Sequence, residues 1–487
     1  MRRYLLFAAC FFLSINTTTP QTKFNAIDTV MNLYAADDYF NGVVLVAEDG
    51  KILYHHAFGY ADFEWRIPNT LDTKFEVASI TKTFTALMVM RLVESGKIDL
   101  KRPIAEYLPD YRGEGAESIT IDELLQHSSG MQRDISDFPV SGNNFPDVVA
   151  KVNEEFFSLK ERVEIISKRP LLFKPGTDFS YSSDGYDVLG RILEVVCRDS
   201  YEAVLDSLLL QPLAMNESGY KNHYVVVSKR AVGYAETYSG LERGRQIGIA
   251  PSGGIFSTTA DLLKWEQSLY TDKVITQKSR DLIFKKGPYS PEYGWKVNDN
   301  YFGTNTADSV RAVMCTGALP GFNSLVVRFL SDKRTIIVLE NIRRLSYKQD
   351  EIVRTLADIL YGRPYALPKK SLAKELLRVI QTSGIAAAES TFSSFQKAPA
   401  EYSLTEAELN SVGYYLLYDL HNVDKAVAVF KINTVQFPDS WNAFDSLGEG
   451  YMVHGDKKRA VENYRRSLVL NSDNSNAKRM IEEMMKK

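Results

Sequence analysis

The sequence predicts an α/β fold, an antiparallel sheet flanked by helices with a helical subdomain, followed by an all-α domain of helical repeats. Three observations carry that expectation. Strand-forming runs gather at both ends of the longer, N-terminal part of the chain, helical periodicity fills the stretch between them, and beyond residue 370 strand signals fade while a repeat emerges.

Residues 1–22 open on Met1-Arg2-Arg3, continue as an apolar run over 4–15 and then turn polar, the order of a secretory leader. Export to a periplasmic or extracellular location is expected, or retention at a membrane surface through an uncleaved leader; no A-x-A site marks the cut. Residues 41–60 set apolar runs on either side of Asp49-Gly50, which reads as a hairpin with strands near 43–48 and 52–58. Helical patterns follow at 79–94 and 183–210, separated by turn-rich loops such as Lys174-Pro175-Gly176 and Pro251-Ser252-Gly253-Gly254. Three β-rich runs, 311–316, 324–329 and 335–339, are divided by Pro320-Gly321 and by Ser331-Asp332-Lys333. A helix over 348–361 closes a first domain expected to span 23–363, and the Pro- and Lys-rich residues 364–370 read as a linker.

In the remaining 371–487, Ala426 and Phe430 recur as Ala460 and Tyr464, a 34-residue period that resembles the tetratricopeptide pattern. Leu447, Gly448 and Tyr451 precede the second pair, and Pro438 ends the first unit. Such a stack needs about three hairpins; residues 371–397, broken at Ser383-Gly384, supply a degenerate first one, and 477–485 a capping helix.

Composition narrows the function. Across 487 residues, 58 basic and 61 acidic side chains leave a net charge of −3, which argues against a nucleic-acid partner. Three cysteines, Cys10, Cys197 and Cys315, are too few for a disulfide scaffold or a Cys-rich zinc module. The chain has no H-E-x-x-H, P-loop or G-x-S-x-G motif, and its six histidines show no metal-ligand spacing or evident Ser-His pair. No metal or cofactor is expected, and a serine nucleophile would need a base other than histidine.

Ser79-Ile80-Thr81-Lys82 offers one. A Ser and a Lys three apart share a helix face, and a helix start favours negative charge developing on the Ser. The same spacing occurs at Ser371-Leu372-Ala373-Lys374 and Ser394-Phe395-Gln396-Lys397, but only Ser79 follows a β-prone run, Phe75-Glu76-Val77-Ala78, and opens a nearly all-apolar helix that would carry Lys82 into the core. Burial without a carboxylate partner lowers a lysine toward a usable base.

Two further stretches resemble a known family. Phe179-Ser180-Tyr181-Ser182-Ser183-Asp184-Gly185-Tyr186 resembles the Y-x-N element of class C β-lactamases and their penicillin-recognising serine-hydrolase relatives, and Cys315-Thr316-Gly317-Ala318 resembles their third element, K-T-G or H-x-G. Leu124-Leu125-Gln126-His127-Ser128-Ser129-Gly130 and Pro251-Ser252-Gly253-Gly254 support the match, which covers the chain from near residue 23 to 362. The resemblance implies the β-lactamase/DD-peptidase fold, with helices on both faces of the sheet and the site between sheet and helical subdomain. It implies Ser79 as the acylated nucleophile, Lys82 as its proton acceptor, Tyr181 as the proton-shuttling phenol, the Ser79 and Ala318 N–H groups as oxyanion hole, and Ser183, Cys315, Thr316 and Gly317 among the substrate-binding positions.

Two positions depart from the family. Ser183 replaces the usual Asn, reducing an amide to a hydroxyl. Cys315 replaces the usual Lys or His and removes a cation, which points away from carboxylate-bearing β-lactams and D-Ala-D-Ala ends toward neutral esters or amides; without a partnered histidine it is not read as a nucleophile. His127 is read as a structural hydrogen-bonding residue, and Trp65, Tyr111 and Trp295 are pocket or core aromatics. The expected function is serine hydrolysis of a small-molecule or peptide substrate through a Ser79 acyl-enzyme. The alternative is a catalytically weakened relative whose helical repeats bind a protein partner or cell-wall peptide.

Overall fold

Asp49 and Gly50 take φ values of 48° and 74°, the left-handed pair that a two-residue hairpin demands. They join β1 (Gly42–Glu48) to β2 (Lys51–Phe58). Farther along the chain lie β3 (Lys296–Asn298), β4 (Ala312–Leu319), β5 (Phe322–Phe329) and β6 (Arg334–Glu340). Together these strands make a six-stranded antiparallel sheet in the order β3-β4-β5-β6-β1-β2, so the N-terminal hairpin docks on the C-terminal meander with Leu45 opposite Ile337.

The structure is a computed structural model that describes residues 20–135, 158–220, 225–237, 240–245, 250–285, 293–303, 310–344, 348–395 and 401–485. The chain divides into two units, one ending at Tyr365 and the other running from Ala366 to Lys487.

Around the sheet of the first unit lie α1 (Pro20–Ala36), α2 (Thr81–Glu94), α3 (Ser183–Cys197), α4 (Thr259–Ser268) and α5 (Gln349–Leu360). Successive residues of β1 serve different cores, as a strand's period of two requires. Val43, Leu45 and Ala47 pack with Phe84 and Leu87 of α2, whereas Val44 and Val46 pack with Val30 of α1 and Leu356 of α5. Both faces are covered, which is why β1 is an unbroken apolar run rather than an alternating one. A fully buried ion pair, Arg328 to Glu266 at 2.9 Å, ties β5 to α4.

The expected strands and the helix over 348–361 are found within a few residues of their bounds, but the expected helix over 183–210 is broken. It stops at Arg198, which adopts a left-handed φ of 57°; Ser200 then caps a new helix, Tyr201–Leu205, which ends in a π turn, Asp206–Leu210. The leader assigned to residues 1–22 lies outside the described residues up to Thr19, and its last three residues already belong to α1. Pro20 opens that helix, where its missing N–H costs nothing.

The second unit contains α6 (Leu372–Ser383), α7 (Ile385–Phe395), α8 (Glu406–Tyr414), α9 (Val423–Gln436), α10 (Trp441–His454), α11 (Lys457–Leu470) and α12 (Ser475–Met485). Gly384, at φ 83°, makes the break expected there. Consecutive hairpins share one packing device. A methyl group on Gly413 would sit 2.3 Å from the Phe430 ring, and one on Gly448 would sit 3.0 Å from the Tyr464 ring. Each glycine lets an aromatic of the following helix approach the backbone, which gives physical content to the sequence period.

Candidate active site

Ser79 lies in a single 3-10 turn, Ala78–Ile80, that leads into α2. Neither end of this entrance carries a side-chain cap; the turn is fixed by distant strands instead. The Val77 N–H donates to the Ile255 carbonyl at 2.9 Å, the Val77 carbonyl accepts from the Ser324 hydroxyl at 2.7 Å, and the Ile255 N–H donates to Thr81 Oγ1 at 3.1 Å. Held this way, Ala78 adopts φ 51°, a left-handed conformation that costs an L-residue about 1 kcal/mol. The bend leaves Ser79 partly exposed at the surface of a buried turn.

Lys82, one turn beyond Ser79 and the second residue of α2, is 1% exposed. Its Nζ donates to Ser79 Oγ at 3.2 Å, to Ser183 Oγ at 3.3 Å and to the Ser252 carbonyl at 2.8 Å. None of these partners is a carboxylate, so the amine is hydrogen-bonded without a neutralising charge. It also lies 4.9 Å from the centre of the Tyr181 ring and 5.8 Å from that of Tyr186. The Ser252 carbonyl is held from behind by Asp187, whose Oδ1 accepts from the Ser252 N–H at 3.2 Å while its Oδ2 is paired with Arg162 at 2.7 Å.

Tyr181 and Ser183 owe their positions to the residue between them. Ser182 caps α3: its hydroxyl accepts from the Gly185 N–H at 3.0 Å and donates to the Gln132 carbonyl at 2.7 Å. Tyr181 therefore sits just before the helix and Ser183 in its first turn. A second buried ion pair, Arg169 with Asp184, holds that turn, against a burial effect that pushes the Asp184 carboxyl up.

The third predicted element forms β4, and its residues alternate. Thr316 and Ala318 face solvent, while Cys315 and Gly317 face inward. A methyl group on Gly317 would lie 2.2 Å from the Val77 carbonyl oxygen and 2.9 Å from the Ala78 methyl, so only glycine allows the strand to close on the Ser79 turn. The two-residue loop Pro320-Gly321 makes Leu319 and Phe322 a hydrogen-bonded pair, which turns the Thr316 and Ala318 N–H groups away from β5. Among the described residues, β3 covers that edge only from Ala312 to Met314. The edge is open where an extended substrate strand would pair.

Cys315, expected to touch substrate, is 3% exposed and packed in the core cluster that also holds Val313 and Val326, with burial pushing its thiol well up. Ser79, Lys82, Tyr181 and Ser183 thus converge on one amine, Thr316 and Ala318 line an open strand edge, and Gly317 and Cys315 lie behind them. Of the three aromatics left open, Trp295 and Tyr111 are core residues, and Trp65 is 79% exposed.

His127 has a larger place here than the sequence suggested. It is fully buried with φ 56°. Its ring stacks on Tyr181 with centroids 4.5 Å apart, its Nδ1 accepts from the Ser182 N–H at 3.0 Å, and its carbonyl accepts from the Ser180 N–H at 3.0 Å. Burial, reinforced by the Lys82 charge, lowers its pKa to about 3, so the imidazole is neutral. In the sequence it stood only within the supporting stretch 124–130 as a structural residue, and its left-handed backbone is not written in the residue type.

Among the described residues no group of three or more His, Cys, Asp or Glu side chains is arranged to hold a metal ion, and no helix is long and apolar enough to cross a membrane.

The family model described as Beta-lactamase matches residues 28–358, a span that contains every residue of this site and leaves out the second unit. A penicillin-binding protein of Bacillus subtilis (strain 168) is 30% identical over 375 residues, covering 73% of this chain and 80% of its own length. Protein flp of Staphylococcus aureus (strain MRSA252) is 27% identical over 332 residues, 65% of this chain and 62% of the relative. Among solved structures, a D-amino acid amidase from Ochrobactrum anthropi SV3 superposes with a TM-score of 0.58 at 21% identity, over 69% of this chain and 98% of that one, a likeness of fold.

Proposed function

The chain belongs to the beta-lactamase family of serine hydrolases, and from that membership we propose that it cleaves a neutral ester or amide through an acyl-enzyme on Ser79. The observation that carries the reading is the Lys82 amine, 3.2 Å from Ser79 Oγ and held by three oxygens that bring no negative charge. In the first step the Ser79 oxygen bonds to the substrate carbonyl carbon and its proton passes to Lys82, directly or through Tyr181. The carbonyl oxygen becomes an oxyanion, met by the N–H groups of Ser79 and Ala318. Collapse breaks the bond to the leaving group, which departs with the proton returned by the Lys82 and Tyr181 pair; water then repeats the sequence and frees the serine. Thr316 and the open edge of β4 bind the substrate backbone, and Ser183 bridges it to Lys82.

Substrate charge follows from β4. The inward, buried Cys315 thiol brings no cation to the site, so a substrate carboxylate gains little there, and D-amino-acid amides and simple esters, which lack one, are favoured over penicillins. The second unit is proposed to be a tetratricopeptide-like stack that docks a partner peptide; the matching glycine and aromatic pairs of its hairpins support this. Export through residues 1–22 is part of the same reading. The test compares turnover of p-nitrophenyl esters, D-phenylalanine amide and benzylpenicillin by the wild type and by Ser79→Ala. The expected result is ester or amide turnover that is lost in the variant and exceeds any penicillin turnover. Penicillin as the best substrate overturns the charge assignment, and activity retained by Ser79→Ala overturns the nucleophile.

A further inference from the structure

The proposed reaction needs the Tyr181 phenol kept beside the Lys82 amine, yet Tyr181 lies in a stretch that is neither helix nor strand. What fixes it is the segment opposite. Residues 127–130 run against 172–182: the Leu172 N–H donates to the Gly130 carbonyl at 2.7 Å, the Gly176 N–H to the Ser128 carbonyl at 2.8 Å and the Ser180 N–H to the His127 carbonyl at 3.0 Å. At Gly130 the two backbones are so close that a methyl group would lie 2.2 Å from the Phe173 carbonyl oxygen. His127 ends this seam beneath the phenol.

We propose that His127 is the positioning residue of the site, bracketing Tyr181 with hydrogen bonds on both sides and stacking a neutral imidazole on its ring so that the phenol stays against Lys82. The inference rests on the hydrolase reading above and names a residue that acts through Tyr181 rather than on substrate.

Three features argue for this over simple filling of space. The two bonds go to the N–H groups of Ser180 and Ser182, the neighbours on either side of Tyr181, so its main chain cannot slide without breaking one. Because Nδ1 accepts, the ring proton resides on Nε2, which is buried with no hydrogen-bond partner among the described residues. An orphaned N–H and a left-handed backbone both oppose folding, and an aliphatic side chain would fill the volume without the first. Finally, the ring is enclosed by Tyr181, Tyr186 at 5.1 Å and the edge of Phe179 at 6.1 Å, with the Lys82 amine on the far side of the Tyr181 ring. A positive ring there would oppose the ammonium that Lys82 becomes on taking the Ser79 proton, so a neutral ring serves the step.

Two substitutions in the full chain separate the parts. His127→Asn keeps an acceptor for the Ser182 N–H and loses the stack; His127→Phe keeps a ring and loses the acceptor. Acylation by a p-nitrophenyl ester, measured per active site by fluorophosphonate titration, should fall about 10- to 100-fold in each, with KM changed less than about twofold. The pH midpoint of acylation should move in both variants. Folded variants that acylate within about threefold of wild type with an unmoved midpoint overturn the proposal and leave the hydrolase reading intact. A wild type that does not acylate overturns both. Should neither variant fold, the ring nitrogens of wild-type His127 decide by NMR: a neutral, Nε2-protonated ring from pH 8 to 5 is expected, and protonation within that range contradicts the proposal.

Discussion

The two units of the chain are built by different rules. In the second, each main helix start is marked by its own residue: Thr405, Asn422, Ser440 and Asp456 each accept a hydrogen bond from the N–H three residues on. Its contacts repeat with the sequence, Gly413 under Phe430 and then Gly448 under Tyr464. At the site of the first unit, the nucleophile turn has no side-chain cap, Ala78 and His127 hold left-handed backbone, and Lys82 is secured by residues 101 and 170 positions away. Local rules build the tail, and long-range contacts override local preference at the site. Ala78 and His127 keep their left-handed backbone there because the surrounding structure over-determines the geometry of the site.

The largest blow to the site should come from Gly317→Ala, which drives a methyl group into the Val77 carbonyl. Displacement of the Ser79 turn by a fraction of an ångström to one ångström should lower acylation by about a hundredfold, measured as the rate of ester burst per folded molecule. A rate within about threefold of wild type would show that the close approach of β4 does not set the nucleophile.

Acid should find the same strained region. With its folded pKa at about 3 against an ordinary 6.5, His127 takes up a proton on unfolding, so falling pH favours the unfolded chain. The loss begins as pH drops through the unfolded value and grows until the folded value is reached. Between pH 7 and 5 it amounts to about 2 kcal/mol. Urea unfolding of the wild type and of His127→Phe at the two pH values checks this; the variant should lack that part of the pH dependence.

A comparable wedge in the tail should have a local effect. Gly413→Ala pushes against Phe430 and should destabilise its hairpin by about 1–2 kcal/mol, seen as earlier hydrogen exchange in residues 406–436, with ester turnover unchanged. Reduced turnover would break the separation between the units. The smallest change is expected of Cys315→Ala: as a buried core filler the thiol should be replaceable with less than about a twofold change in turnover, and a larger loss would return Cys315 to the site.

How far this was legible from residues alone differs between the same two regions. The tail's break at Gly384 and its recurrence of Ala426 and Phe430 as Ala460 and Tyr464 could be read directly, because periodicity and glycine act locally. So could the hairpin at Asp49-Gly50. At the site, Ser79 and Lys82 were found by residue type and spacing and Tyr181 through the family resemblance, and the structure gathers them around one amine. The inward turn of Cys315 was available from strand alternation, since Cys315 shares a face with Val313 and the opposite face carries Thr316. The helix break at Arg198 and the part played by His127 were not, because a left-handed φ in an ordinary residue is imposed by its neighbours in space. The start of α1 at Pro20 was masked by reading residues 1–22 as a leader.

The most direct test of the central claim is intact-mass analysis of the protein after reaction with a fluorophosphonate, followed by peptide mapping, with Lys82→Ala and Ser79→Ala in parallel. The account predicts a single adduct on Ser79 in the wild type, none in Ser79→Ala, and labelling slowed by at least about a hundredfold in Lys82→Ala. A wild type that stays unlabelled, or an adduct mapped to any other residue, would contradict it.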